Sequence, residues 1–331
     1  MKLIKSLSKI QSWYPGTKYL AGLTVFLYLT GSQLDARFFR WHPQLNGCQQ
    51  VAYRAYTADL IGASADYALA KAKAMNIPEG AERAAAYQEA YESYWESRAE
   101  ARDQLIARID LCDQLDEDSY YPEIEPENFC TPEEIAANPN PYFLLVPGRV
   151  MVFGGETEEG EEEIIEVTVT EETKDIEGVT CIVVRDVVTV DGEVVEDTRD
   201  WYAQDKEGNV WYFGEIALNY EDGEIVDIDG SWKAGEDGAL PGILMFDNPM
   251  VGDIYRQEFL LGEAEDVAEV VSLTETVMSN DIEYTDCLQT LEYTPLDPEV
   301  FEFKYYKAGV GLVLEENPDT GEVLELLAIN P

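Results

Sequence analysis

From residue 142 onward the apolar residues alternate, and the gaps between alternating runs are too short to hold a helix. Ile164-Ile-Glu-Val-Thr-Val-Thr170 and Cys181-Ile-Val-Val-Arg-Asp-Val-Val-Thr-Val190 have the period of two that a half-buried strand requires. Val190-Asp-Gly-Glu193 carries Asp-Gly at its centre, the signature of a tight hairpin, and leads into Val194–Ala203. Gln204–Asn209 is a longer turn into Val210-Trp-Tyr-Phe213, and Tyr220-Glu-Asp-Gly223 is a further hairpin. More strands fit Tyr255–Leu261, Val267–Glu275, Cys287–Tyr293, Phe301–Tyr306, Val310–Glu315 and Val323–Ile329. Parallel strands need long crossovers, so roughly ten strands with short connections predict an antiparallel meander. A sheet of that length curls into a half-barrel, a barrel or a sandwich.

The preceding part is built differently. Residues 37–114 are rich in Ala, Glu, Gln and Arg, with Asn76-Ile-Pro-Glu-Gly80 as the break between two helices. Cys48, Ala52, Ala55, Gly62, Ala65, Leu69 and Ala72 mark one face of the first helix. Tyr87, Tyr91, Tyr94, Arg98, Leu105, Ile109 and Cys112 mark a face of the second. In an antiparallel hairpin Cys48 and Cys112 come within one or two turns of each other, which predicts a disulfide at the open end. Residues 115–141 hold five prolines and many carboxylates and predict an extended acidic linker. The fold class is therefore α+β: an N-terminal segment over 1–36, a hairpin over 37–114, the linker, and a β domain over 142–331.

Charge follows the same division. Residues 1–110 hold 13 Lys/Arg and 11 Asp/Glu, a net of +2, whereas residues 111–331 hold 9 and 56, a net of −47. The total of −45 excludes a nucleic-acid binder that works through a basic surface. A single histidine, His42, excludes multi-histidine metal sites and argues against a His-based triad. Solvated surface in a salty medium and a charge-specific role, such as binding divalent cations or a basic partner, both fit the acidity.

Lys2, Lys5, Lys9 and Lys18 precede the apolar run Tyr19–Gly31, the layout of a secretory signal. Leu34-Asp35-Ala36 is a poor cleavage site, and Ser32 stands where a lipobox would need Cys. An uncleaved anchor would hold the basic end in the cytoplasm and the rest outside. The expectation is export from a bacterial cell to the periplasmic or extracellular face of the membrane.

Asp200-Trp-Tyr-Ala-Gln-Asp-Lys-Glu-Gly-Asn-Val-Trp-Tyr-Phe-Gly214 is the most specific string in the chain. Asn140–Gly148 and Tyr305–Gly311 flank it, and Gly238–Gly242 and Val251–Glu258 lie between. Together, over residues 140–316, they resemble an uncharacterised family of exported bacterial proteins. That resemblance implies export and a β fold, and no reaction. The curved sheet is also similar, more distantly, to lipoprotein-carrier domains.

Candidate sites follow from residue chemistry. Trp201, Tyr202, Trp211 and Phe213 form an aromatic cluster that is core in a closed sheet and a groove for an apolar ligand in an open one. Arg185 and Arg256, with Arg199, are strand cations beside carboxylates, expected to fix register or line a polar site. Asp227, Asp229 and Asp319 lie in turns with the oxygen chemistry of a possible calcium site. Cys181 and Cys287 are candidates for a second disulfide, which would leave Cys130 unpaired. No nucleophile–base pair can be named, so the expected function is non-enzymatic. It is a membrane-associated structural or accessory subunit that docks another protein. The alternative is an exported binding module for an apolar ligand or divalent cations.

Overall fold

The computed structural model describes residues 45–157 and 159–330. The basic and apolar segment over 1–36 and His42 lie outside the described residues.

Helices α1 (Gly47–Met75) and α2 (Ala81–Leu115) form the expected hairpin. Asn46 caps α1, its Oδ1 accepting from Gln49 N at 2.8 Å, and the turn through Pro78 reverses the chain. The interface is made of small residues: Ala52, Ala55, Ala63 and Ala74 on α1, Ala90 and Ala101 on α2. On α1 the face predicted from sequence holds only near the base, whereas on α2 every predicted residue except Tyr91 is buried or half-buried. Gly62, Ala65, Leu69 and Ala72 are exposed, as is Tyr91, because the stripe follows Ala63 and Ala74 instead. Aromatics at the interface would hold the axes apart, whereas alanines let them approach. The Cys48–Cys112 disulfide closes the base, with Cα atoms 5.8 Å apart.

Residues 115–141 do not run free. A 3-10 turn over Pro126–Asn128 precedes a short helix, α3 (Pro132–Ala137), whose first turn carries a capping box between Thr131 and Glu134. Ile135 of α3 is fully buried against the sheet. Prolines stiffen this stretch, but backbone bonds from Cys130 N to Gln204 O (2.9 Å) and Lys206 N to Asn128 O (2.8 Å) hold it to the β domain.

The sheet is antiparallel throughout. It opens with β1 (Val150–Glu156) and a meander of β2 (Glu162–Ile176), β3 (Val179–Val190), β4 (Glu193–Gln204) and β5 (Val210–Glu221). Short strands follow: β6 (Glu224–Asp227), β7 (Trp232–Lys233), β8 (Leu240–Met245), β9 (Ile254–Arg256) and β10 (Glu258–Phe259). A second meander comprises β11 (Val267–Ser279), β12 (Ile282–Thr294), β13 (Asp297–Lys307), β14 (Gly311–Glu316) and β15 (Val323–Asn330). The order is β10-β8-β5-β4-β3-β2-β1-β15-β14-β13-β12-β11-β9. Thus β1 joins the two meanders by pairing with both β2 and β15.

The hydrogen-bonded path is open, yet its ends, β10 and β9, flank a single residue, Gln257. Gly242 permits this return, because a Cβ there would collide with the backbone of Arg256 and Gln257. Tyr202, Tyr212, Trp232, Tyr255 and Leu288 belong to the larger core. A smaller core holds Phe153, Cys287, Tyr305, Val313 and Leu326. Register shifts in β11 between Val270 and Val277 bend the β11–β12 hairpin, whose Ser279 Oγ accepts from Leu326 N at 3.0 Å.

Candidate functional site

The root of the hairpin is fixed to the sheet by one buried ion pair and one half-buried one. The Arg108 guanidinium makes a fork to Glu265, Nε to Oε2 at 2.9 Å and Nη2 to Oε1 at 2.7 Å, with both residues at most 5% exposed. Gly262 N also donates to Glu265 Oε1 at 2.7 Å, so this carboxylate is well supplied with donors. Arg256, the last residue of β9, donates from Nε to Glu117 Oε1 at 3.0 Å, just past α2. Its guanidinium lies over the rings of Tyr120 and Phe259, at 5.5 and 5.2 Å. Tyr120 Oη in turn donates to Pro241 O at 2.7 Å.

Beyond this root the hairpin is an arm, with α1 about 43 Å long at 1.5 Å per residue. Apolar side chains stand exposed along it: Ile61, Leu69 and Met75 on α1, and Tyr91 and Trp95 on α2, the last two 50% and 51% exposed. The aromatics stack among themselves. Tyr67 and Tyr94 lie 4.9 Å apart and Tyr94 and Trp95 5.4 Å, with Arg98 over both of the latter. An exposed aromatic cluster crowned by a guanidinium is the residue chemistry enriched at protein interfaces.

The aromatic string of β4 and β5 is packed on both faces. Tyr202 stacks on Tyr212 at 4.7 Å, and Trp232 and Phe143 close that face edge-on. On the opposite face Phe129, from the acidic segment, covers Trp211 and Phe213. Trp201 is buried, with Lys174 Nζ over its ring at 4.0 Å. The segment that follows α3 is tied down as well. Asn140 Nδ2 donates to Gly208 O at 2.9 Å, and Asn140 N to Gln204 Oε1 at 2.8 Å, tying α3 to the β4–β5 turn.

Arg185 forks to Asp197 on the neighbouring strand, at 2.9 and 2.7 Å, rather than to the adjacent Asp186. The three turn aspartates do not converge. Asp227 Oδ1 accepts from Asn219 Nδ2 and Asp229 N in the turn after β6, while Asp319 sits in the turn between β14 and β15. Among the described residues no group of three or more His, Cys, Asp or Glu is placed to hold a metal ion. Cys181 and Cys287 are both free and buried, which corrects the second predicted disulfide. They stand on β3 and β12, separated in the sheet by five strands, and in different cores. Cys130 is free as well.

A charged cluster that the sequence reading missed lies inside the sheet. Lys304 Nζ contacts Glu302 at 2.8 Å, Glu292 at 3.0 Å and Glu315 at 3.5 Å. Glu292 also accepts from Thr290 Oγ1 at 3.0 Å and Tyr306 Oη at 3.3 Å. Burial, and then Glu302, push the Glu315 carboxyl up to about 8, so near neutrality it is protonated beside Glu302. Near β4, Tyr212 Oη sits 2.8 Å from Asp200 and 2.7 Å from Glu215. These are buried polar networks of the kind that specify a single packing.

No protein-family model matches the chain, and no curated protein matches it. Among solved structures, a candidate exported protein of Bacteroides fragilis NCTC 9343, described as having a YmcC-like fold, is 14% identical. Its TM-score is 0.30, and the match covers 56% of this chain and 96% of that one. A candidate lipoprotein of Parabacteroides distasonis ATCC 8503 is also 14% identical, with a TM-score of 0.32 and the same two coverages. These values are too low to transfer either description to this chain.

Proposed function

We propose that the protein is an exported, membrane-associated bacterial accessory subunit without catalytic activity. The β domain is a rigid platform, and the helical arm docks a partner protein. The observation that carries this reading is the contrast along the hairpin: its root is clamped by Arg108–Glu265 and Arg256–Glu117, while Tyr91 and Trp95 stand exposed on the arm. A surface kept apolar at a cost in solubility is one that another surface covers. The basic and apolar pattern over residues 1–31 supports export.

Native mass spectrometry of the protein, gently extracted from its own membranes, tests the reading. The expected result is a complex with another chain that is lost in a Tyr91→Ser/Trp95→Ser variant of unchanged melting temperature. A bare wild-type monomer, or a complex indifferent to those two substitutions, overturns it.

A further inference from the structure

Against the lower part of α2 lies a groove of about 340 Å³. Ile106 lies on its helical wall, half exposed, and Tyr293, Pro295 and Pro298 form the facing wall from the β12–β13 turn. Asp103 and Asp110 line the same helical wall, one on either side of Ile106. Two cross-bonds fix the separation of the walls: Gln104 Nε2 donates to Leu296 O at 2.9 Å, and Tyr293 Oη donates to Gln114 Oε1 at 3.1 Å. The Arg108–Glu265 fork lies on the sheet-facing side of the same helix. The groove is thus pre-organised, which lowers the cost of filling it.

We propose that this groove docks an extended segment of a partner protein in which an apolar residue lies between two Lys or Arg residues three positions apart. The inference rests on the accessory-subunit reading and names the chemistry of the partner. Spacing supplies the first argument. Asp103 and Asp110 are seven residues apart, about 10 Å along a helix at 1.5 Å per residue. In a polyproline II segment, with three residues per turn and about 3.1 Å per residue, two residues three positions apart lie on the same side and about 9 Å apart. Of the two residues between the cations, the apolar one then turns into the groove toward Ile106 and the two prolines.

Charge supplies the second argument. Carboxylates crowd this region: Glu100 sits near Asp297 and Asp59, and burial followed by those two charges raises its pKa. Arg102 pairs with Asp103 at 2.9 Å, but the pair is exposed and screened, so an incoming cation competes with it readily. The field of residues 111–331, with a net of −47, repels anionic lipid and nucleic acid and draws in a basic protein segment.

The probes are two labelled peptides, Gly-Ser-Arg-Leu-Gly-Arg-Ser-Gly and the same peptide with Leu replaced by Ser, titrated against the full chain by fluorescence anisotropy. The Leu peptide should bind about tenfold tighter, since one buried aliphatic side chain contributes about that factor. Ile106→Ser and Asp110→Asn should each weaken it about tenfold. Both positions are exposed, so an unchanged melting temperature shows that the variants still fold. Equal binding of the two peptides, no binding of either, or indifference to Ile106→Ser overturns the groove. Tyr91→Ser/Trp95→Ser should leave peptide affinity unchanged. Peptide binding in a protein that forms no membrane complex keeps the groove and removes the arm reading, and the reverse result does the opposite.

Discussion

The helical arm and the β domain stabilise themselves in opposite ways. The arm buries alanines and leaves Tyr91 and Trp95 to solvent; the sheet buries tyrosines, tryptophans and even a lysine with three glutamates. Alanine interfaces gain little from the hydrophobic effect, since each side chain removes only one methyl group from water. An arm of this kind depends on its root, whereas the sheet carries its own core. The difference teaches where each region is vulnerable. The β domain should tolerate loss of the arm's order, and the arm should not tolerate loss of its clamps.

Removing one half of a clamp tests this most severely. Arg108→Ala leaves Glu265 charged and buried, which costs about 3–5 kcal/mol. The expected result is a loss of helical circular dichroism at temperatures where Trp fluorescence of the sheet is unchanged. If the two signals fall together, arm and sheet are one cooperative unit and the comparison fails. Replacing both partners, as Arg108→Met with Glu265→Leu, should recover most of the loss. Opening the disulfide by Cys48→Ser comes next. A closed loop of this size, with a sequence separation of 64, constrains the unfolded chain. Its removal should cost about 4 kcal/mol in the chain-entropy account. Again the arm should melt first, whereas Cys181→Ser should leave the arm's transition where it was.

The hairpin break at Pro78, the Cys48–Cys112 bridge and the second meander were legible because each rests on local chemistry. So was the Asp191-Gly192 hairpin, whose two residues have φ of 49° and 83°. Strand β1 was not, because Gly154 and Gly155 interrupt its pattern. Gly155 is needed where the Val323 carbonyl of β15 approaches too closely for a Cβ, whereas a Cβ at Gly154 would meet only the movable ends of the Leu327 and Ile164 side chains. The alternation in Phe301-Glu-Phe-Lys-Tyr305 suggests a core face of Phe and a wet face of charge. The structure inverts it: Glu302 and Lys304 are buried, while Phe301 and Phe303 are half-buried. Long-range partners, Glu292 and Glu315, make the charged face the inner one, and no local window contains them. The Arg108–Glu265 clamp was illegible for the same reason, since its partners lie 157 residues apart. The groove at the root likewise exists only once α2 meets the β12–β13 turn.

The smallest expected effect is a pH dependence, and it separates the regions once more. Glu163, buried beside Glu322 and Asp186, is pushed up to about 7, and Glu315 to about 8. An unfolded glutamate titrates near 4.3, so between about 4.3 and 8 the folded state keeps protons that the unfolded state has released. Stability from these groups is full below the lower value and is lost as pH rises through 7 and 8. The sheet's transition should therefore fall between mildly acidic and mildly alkaline buffer. Self-repulsion of the acidic surface acts in the same direction, but high salt screens it, and the buried groups are screened far less. Glu315→Gln mimics the protonated carboxyl and keeps a donor for Glu302. In high salt it should flatten the slope by on the order of 1 kcal/mol, roughly 2–4 °C in Tm. Asp59 and Glu100, also raised by burial, tilt the arm the same way, and Glu315→Gln should leave that tilt untouched. A wild-type sheet transition that is flat with pH in high salt would mean that the Lys304 cluster holds Glu315 as a carboxylate. The sheet would then enclose a fully ionised group of four.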